Sequence, residues 1–130
     1  MAAALFEQTQ LLGMVNHASA NAGKYDGTGA VVIATGSASP GSYVQQIRIA
    51  AKGSVAAVSS ARFFLKTGGT YYFQFEIIIP KWTIIAGERE AWSRLLTGLY
   101  IPLPSASYTL ETNQETTDSL DFSASGKNYV

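Results

Sequence analysis

The feature that most constrains this chain is an alternation of apolar and polar residues with a period of two. Between Thr70 and Ile79 the sequence reads TYYFQFEIII, and its odd-numbered positions are all aromatic or aliphatic. Such alternation, in residue types that favour extended backbone, is typical of a half-buried β-strand. We therefore predict a central strand here, with Phe73, Phe75 and Ile77 in the core.

Other parts of the chain repeat this pattern on a shorter scale. Alternating or apolar runs lie at 30–35, 43–52, 61–66, 108–113 and 120–124. Turn-forming glycines and prolines punctuate these runs, and KTGGT at 66–70 predicts a hairpin between two strands. Short strands at this spacing are typical of an antiparallel sandwich or barrel. The sequence thus predicts an all-β fold, an antiparallel β-sandwich.

The N-terminal segment fits this pattern less well. The apolar residues of 2–15 cover too narrow a stripe for a helix that is stable alone, so a short helix and an extended arm both stay open. The stretch 16–27 is rich in glycine, asparagine and alanine and is interpreted as a flexible connection. We predict an N-terminal arm over 1–25 and a β-sandwich domain over 26–130. The alternative is that the arm adds an edge strand, or a helix that closes one end of the sandwich.

A second segment, 84–99, is ambiguous between helix and strand. Glu90 and Arg94 stand at the i,i+4 spacing of a helix. Trp92, Arg94 and Leu96 also alternate as in a strand. The strand is the favoured interpretation.

The chemical inventory of the chain is thin. Cysteine is absent, which excludes disulfides, cysteine-ligated metals and thiol nucleophiles. His17 is the single histidine, and no GxSxG elbow accompanies it. Asp26 is a lone carboxylate in a glycine-rich turn, and Glu88 and Glu90 have no identifiable opposing acid. We predict no catalytic residues, no cofactor and no metal, and therefore no enzyme.

Charge and composition favour a protein that contacts other proteins. Nine basic and nine acidic residues cancel, and 54 of the 130 residues are Ala, Gly, Ser or Thr, so small and weakly hydrated side chains must cover much of the surface. A balanced charge does not favour wrapping of a polyanion. Residues 48–94 carry seven basic and three acidic side chains. Cross-strand pairing would explain this excess, and a basic stripe that docks on an acidic partner is the alternative.

Targeting signals are not predicted. The N-terminus lacks a basic region, and its apolar stretch is interrupted at Glu7. No apolar run approaches the ~18 residues that a membrane-spanning helix needs. We expect a soluble protein made in a cytoplasm.

The order of several motifs resembles a diffuse group of small tailed-bacteriophage virion proteins. The recurring patterns of that group are I-x-I-x-A-x-G, A-R-x-F-L before a glycine turn, E-I-x-I-P, L-P-x-x-x-x-L and a final A-x-G-x-x-Y. The corresponding segments here are 47–53, 61–65, 76–80, 103–104 and 124–129. The resemblance spans residues 26–130.

This resemblance implies a jelly-roll-like β-sandwich on the virion surface and brings no catalytic residues with it. Capsid cement (decoration) proteins belong to the group. We therefore expect a structural protein, made in the host cytoplasm, that binds the major capsid protein on the outside of the capsid lattice and stabilises it. A homo-oligomer is expected, with a trimer favoured, and no direct contact with nucleic acid or a membrane.

The apolar residues of the arm are the candidate capsid contact. They lie beyond the connection at 16–27, where a monomer would protect them poorly, and exposed apolar patches usually mark contact surfaces. Six residues are predicted to anchor the protein to the capsid: Leu5, Phe6, Leu11, Leu12, Met14 and Val15.

Two other functions stay open at this point. A tail or neck component with a receptor- or sugar-binding sandwich would expose Trp82 or Trp92 in a groove. A small hydrolase would need a second histidine or a carboxylate pair in a pocket.

Overall fold

A computed structural model describes residues 9–85 and 91–129, and every strand pairing in this part of the chain is antiparallel. These residues form strands, turns and loops, with no helix among them. The strands are β1 Gln10–His17, β2 Val31–Thr35, β3 Ser42–Ala51, β4 Ser59–Thr67, β5 Thr70–Ile79, β6 Ser93–Leu96, β7 Ile101–Leu103, β8 Thr109–Gln114 and β9 Leu120–Asn128.

The strands form two sheets that pack face to face. The first sheet has the order β1-β9-β3-β6, and β7 pairs with the other end of β3; the second sheet has the order β2-β8-β4-β5. The chain thus pairs its first strand with its last, the second with the eighth, the third with β6 and β7, and the fourth with the fifth. Successive pairs alternate between the sheets, which is the arrangement of a jelly roll. The predicted all-β antiparallel sandwich is confirmed.

The core lies between the two sheets and is built on aromatic contacts. The Phe63 ring from β4 reaches across to Phe122 on β9, with centroids 5.9 Å apart, and stacks on Phe75 of β5 at 4.9 Å. Aliphatic side chains from both sheets surround these rings and are fully buried: Val44, Ile47, Ile49, Ile79, Leu103, Leu110 and Leu120.

A β-bulge in β5 changes which of its residues face the core. Phe63 lies opposite Phe75, but the next residue, Phe64, lies opposite Phe73, so Gln74 is an extra residue in β5. Such an insertion turns the following side chains to the other face. Phe73 therefore packs on the outer side against Phe64 and is 45% exposed. The prediction of Phe73 as a core residue is wrong, and β5 is an edge strand rather than a central one.

The N-terminal segment contributes a strand to the sandwich. β1 pairs with β9 along the edge of the first sheet, and Leu12 and Val15 pack against the core. Of the alternatives for this segment, the structure therefore has the edge strand. This corrects the predicted division at residue 25, because residues 10–17 belong to the sandwich.

The stretch after β1 is a bound cover rather than a flexible connection. We call residues 18–30 the strap; it crosses the outer face of the second sheet. The Asn21 amide donates to the carbonyl of Gln114 at 2.7 Å. The Asn113 side chain donates to the carbonyls of Lys24 and Thr28 at 2.8 and 3.1 Å. The interpretation of 16–27 as a free linker is corrected, because backbone groups of this stretch are satisfied by the sheet.

The ambiguous segment 84–99 contains the strand β6. Ser93–Leu96 pairs with β3, in agreement with the strand interpretation. Residues 86–90, and with them Glu88 and Glu90, lie outside the described residues.

The bulge makes a testable distinction between two phenylalanines. Phe63 is fully buried, so Phe63→Ala should lower the free energy of unfolding by ~3–5 kcal/mol. Phe73→Ala should cost about 1 kcal/mol, because much of that ring is already in contact with water. Urea unfolding of the purified variants measures both. Equal losses would show that the bulge does not turn Phe73 outward.

Candidate functional site: the two outer faces of the sandwich

The outer face of the second sheet is organised around one buried cation. Arg62 of β4 is 1% exposed, and its Nε lies 3.1 Å from a carboxylate oxygen of Glu76 on β5. Its Nη2 pairs with Glu115, which follows β8, and its Nη1 donates to the Asn21 carbonyl at 3.0 Å. The Tyr25 ring of the strap lies over the guanidinium, 4.4 Å from its carbon. A charge this deeply buried is tolerated because it is paired on several sides.

The strap follows the sheet closely next to this cation. Gly27 has φ = +90° and lies against Tyr71, so a Cβ at this position would overlap the ring. The Thr28 amide donates to the Asp26 side chain at 3.0 Å, and this contact lowers the pKa of that carboxyl. Asp26 therefore forms a local turn. Phe64 is fully buried, and its ring packs against those of Tyr71 and Phe73 on β5.

The polar groups of the cluster around Arg62 are engaged in contacts with one another. Glu76 is occupied, since it also accepts hydrogen bonds from Tyr25 and Ser60 at 2.9 and 2.8 Å. In the part of the chain that the structure describes, no group of three or more His, Asp or Glu side chains could hold a metal ion. His17 is buried at the end of β1, with Nε2 3.2 Å from the Gly29 carbonyl.

The outer face of the first sheet contains an open groove of about 500 Å³. Residues of β1, β9 and β3 line this groove. Its base is formed by the small side chains of Ala50 and Ser123, which leave space above the sheet. The groove is lined by Met14, Val15, Asn16, Arg48, Ala50, Asp121, Phe122 and Ser123. The central outward side chains of the second sheet, such as Arg62, Phe64 and Asn113, are buried, whereas the outward side chains of this face are exposed or half-buried.

Apolar side chains stand on both sides of this groove. Leu11 and Met14 on β1 are 56% and 66% exposed, and Leu95 on β6 is 54% exposed. Asp121 accepts a hydrogen bond from Asn16 at 2.9 Å. Arg48 is exposed, and within residues 9–85 and 91–129 it makes no ion pair. The face therefore combines apolar contact area with one unpaired positive charge.

A cluster of three tyrosines lies further along the first sheet. The Tyr43 ring is 5.3 Å from that of Tyr100 and 5.1 Å from that of Tyr129. The hydroxyls of Tyr100 and Tyr129 share a hydrogen bond, which raises the pKa of Tyr129 to about 12. Tyr100 is 63% exposed, so one aromatic ring is open to a partner.

The structure separates the six predicted anchor residues. Leu11 and Met14 are exposed beside the groove, whereas Leu12 and Val15 are partly buried against the protein's own core. Leu5 and Phe6 lie outside the described residues. Because β1 is a strand, its side chains alternate between the core and the outer face, apart from a bulge at Leu12. Of the four described anchor candidates, Leu11 and Met14 therefore lie on the exposed side of β1, whereas Leu12 and Val15 pack toward the core.

The basic side chains that the structure describes between residues 48 and 94 do not lie in one stripe, which was the alternative to cross-strand pairing. Arg62 is buried under the strap and pairs with Glu76 across two neighbouring strands, as the cross-strand account predicts. Arg48 lies on the other sheet, and Lys66 sits 4.7 Å from the Tyr71 ring. Sequence reasoning missed the groove because its lining residues come from three strands whose neighbours are decided by the fold.

Comparisons with known proteins do not add to this picture. No known protein family, curated protein or solved structure matches the chain. None of the described segments forms a helix with the length and hydropathy of a membrane span. The fold and its surfaces thus define a jelly-roll β-sandwich with one outer face covered by its own strap and the other open.

Removal of the buried cation should destabilise the fold. Arg62→Met leaves Glu76 and Glu115 without their shared partner, and breaking such a pair typically costs ~3–5 kcal/mol. Both carboxylates can hydrate, so we expect a loss near the lower end, about 3 kcal/mol. Arg48→Met is the matched control, because Arg48 is exposed and unpaired; it should change stability by less than about 0.5 kcal/mol. Similar urea midpoints for the two variants would contradict the role of Arg62.

The same cluster makes stability depend on pH. The amide of Gly23, 3.0 Å away, and then Arg62 hold the pKa of Glu115 below its usual value of 4.5. Because this pKa is lowered in the folded state, its contribution is present above about pH 4.5 and is lost as pH falls through the folded-state pKa. Denaturant unfolding between pH 7 and pH 3 should therefore show a smaller acid loss for Glu115→Gln than for the native protein. Parallel pH profiles would refute this role of Glu115.

Proposed function

We propose that this protein is a structural virion protein that binds the outside of a capsid lattice and stabilises it, as capsid cement proteins do. The observation that carries the proposal is the contrast between the two outer faces of the sandwich. The chain covers the middle of the second sheet with its own strap and leaves the first sheet open, with exposed apolar side chains on both sides of a groove. Exposed apolar patches of this kind mark contact surfaces.

The size and chemistry of the open face suit a protein contact. With strands ~4.8 Å apart and ~3.4 Å per residue along the ten-residue β3, the face covers roughly 650 Å². Standard protein interfaces bury about 800 Å² per partner, so this face and its rim are of the right order. Leu11, Met14 and Leu95 supply apolar area, and Arg48 supplies a charge that selects orientation.

The partner in this proposal is the major capsid protein, in whose lattice every site repeats the same contact. A small area per copy is then multiplied over the shell, which resists outward pressure from packaged DNA. The protein acts without catalysis or a cofactor, is made in the host cytoplasm, and touches neither nucleic acid nor membrane. A homo-oligomer is part of the same proposal; the resemblance to phage virion proteins implies a trimer, and the surface through which copies pair is a separate question.

A second candidate is a tail or neck component that binds a receptor or sugar. Trp92 is buried and Trp82 is half-buried against the core, so neither provides the exposed ring in a groove that this function requires. The tyrosine cluster favours this candidate instead, because Tyr100 presents an open aromatic ring. The number of copies of this protein in purified virions distinguishes the two candidate functions. We expect hundreds per virion for a cement protein and at most dozens for a tail component.

Point variants on the open face test the capsid contact. Met14→Asp should weaken co-sedimentation with capsids that lack this protein by at least tenfold, because a buried apolar side chain contributes ~1.5–3 kcal/mol. Val58→Asp is the matched control, since Val58 is 65% exposed but lies in the connection from β3 to β4. Binding that is equally strong for both variants would refute the contact through this face.

A short deletion tests the two anchor residues that lie outside the described chain. Removal of residues 2–8 takes away Leu5 and Phe6 and leaves β1 complete. If these residues anchor the protein, the shortened protein should stay folded by circular dichroism and bind capsids more weakly. Unchanged binding would leave Leu11 and Met14 as the contact.

A further inference from the structure

The four strand edges of the sandwich differ in how they are protected. β1 and β2, the edges of the two sheets on one side, lie against each other: Gly13 is so close to the Ile33 carbonyl that a Cβ would overlap it. This approach closes that side of the sandwich. The contact between β1 and β2 disfavours the addition of a further strand on that side.

The third edge is protected by short strands. β6 has four residues and includes the exposed Arg94, and β7 has three residues and includes Pro102. Short strands, charges and prolines are the devices that keep a sheet edge from pairing with another chain.

The fourth edge, β5, lacks most of these devices. Thr70–Ile79 is ten residues long and has no strand beside it on the far side among the described residues. It contains no lysine or arginine, and its one carboxylate, Glu76, is held over β4 by Arg62, Tyr25 and Ser60. Beyond the bulge at Gln74, residues 75–79 form a regular segment, and Ile78 within it is 60% exposed. A long apolar edge of this kind is a template for strand addition.

We propose that two copies of this protein pair edge to edge through residues 75–79 of β5, antiparallel, in a two-fold dimer. The second sheets of the two copies then join into one eight-stranded sheet. Main-chain hydrogen bonds across the new edge supply affinity, and the exposed Ile78 side chains become covered.

The sequence of residues 75–79 can pair favourably with a second copy of the same sequence. A second copy of this chain is therefore the proposed partner of this edge. In a two-fold pair centred on Ile77, Ile78 lies opposite Glu76 of the other copy and Phe75 opposite Ile79. Centred on Ile78, the pair places Ile78 beside Ile78 and Ile77 beside Ile79. Neither arrangement sets carboxylate against carboxylate. β-Branched and aromatic cross-strand pairs of this kind stabilise antiparallel strands.

The dimer uses a surface different from the one assigned to the capsid. β5 belongs to the second sheet, whereas the groove lies on the outer face of the first sheet. Pairing through β5 therefore leaves the proposed capsid contact free. A two-fold pair also differs from the trimer that the resemblance implies, so a mass measurement distinguishes them.

Sedimentation equilibrium or light scattering of the purified chain, over micromolar to millimolar concentration, tests the proposal. We expect the mass to rise toward twice the chain mass of 13.9 kDa. Ile78→Lys should keep the mass at that of one chain, since a lysine on the edge opposes pairing and Ile78 is too exposed for its replacement to unfold the domain. Leu95→Lys is the matched control, an exposed strand residue on the other sheet that should leave the dimer intact.

Hydrogen exchange identifies the surface independently of these variants. Amides within 75–79 should exchange more slowly at high concentration in the native protein but not in Ile78→Lys. A chain that stays monomeric at millimolar concentration would overturn the proposal. A trimer, or a dimer that survives Ile78→Lys, would overturn it as well.

Discussion

Four parts of the chain meet at the buried guanidinium of Arg62, and the outer face of the second sheet depends on that contact. β4 carries the arginine, β5 supplies Glu76, the segment after β8 supplies Glu115, and the strap supplies Tyr25 and the Asn21 carbonyl. A buried charge is costly once it loses a partner, so none of these parts can move away without a penalty. One cation thereby turns a glycine-rich stretch into a fixed cover.

This cover sets one outer face apart from the other surfaces of the molecule. The strap packs over Arg62 on one outer face, whereas the open face of the first sheet and the edge strand β5 keep exposed apolar side chains. These two surfaces are chemically different. The face offers exposed side chains around a groove, whereas the edge offers backbone groups of a long apolar strand.

Much of the fold could be predicted from the sequence, but the proposed sites could not. Alternation in Thr70–Ile79 and the glycine turn before it predict strand and hairpin correctly, because side chains in a strand point to opposite faces. The alternation of apolar and polar residues gave no indication of the bulge at Gln74, which turns the Phe73 side chain from the core to the outer face. The groove residues Arg48 and Asp121 are far apart in sequence and meet only because β9 pairs with β3.

Local periodicity, turn residues and composition are enough to specify an all-β chain with short antiparallel strands and no thiol chemistry. Tertiary structure alone decided that residues 10–17 join the first sheet, that the strap crosses the second, and that Arg62 is buried. These outcomes depend on pairings between distant residues: Asn16 and Asp121 are 105 positions apart, and Arg62 and Glu115 are 53 positions apart. The sequence pattern of one strand does not identify its distant pairing partner, because long-range pairing is decided by the free energy of the whole sandwich.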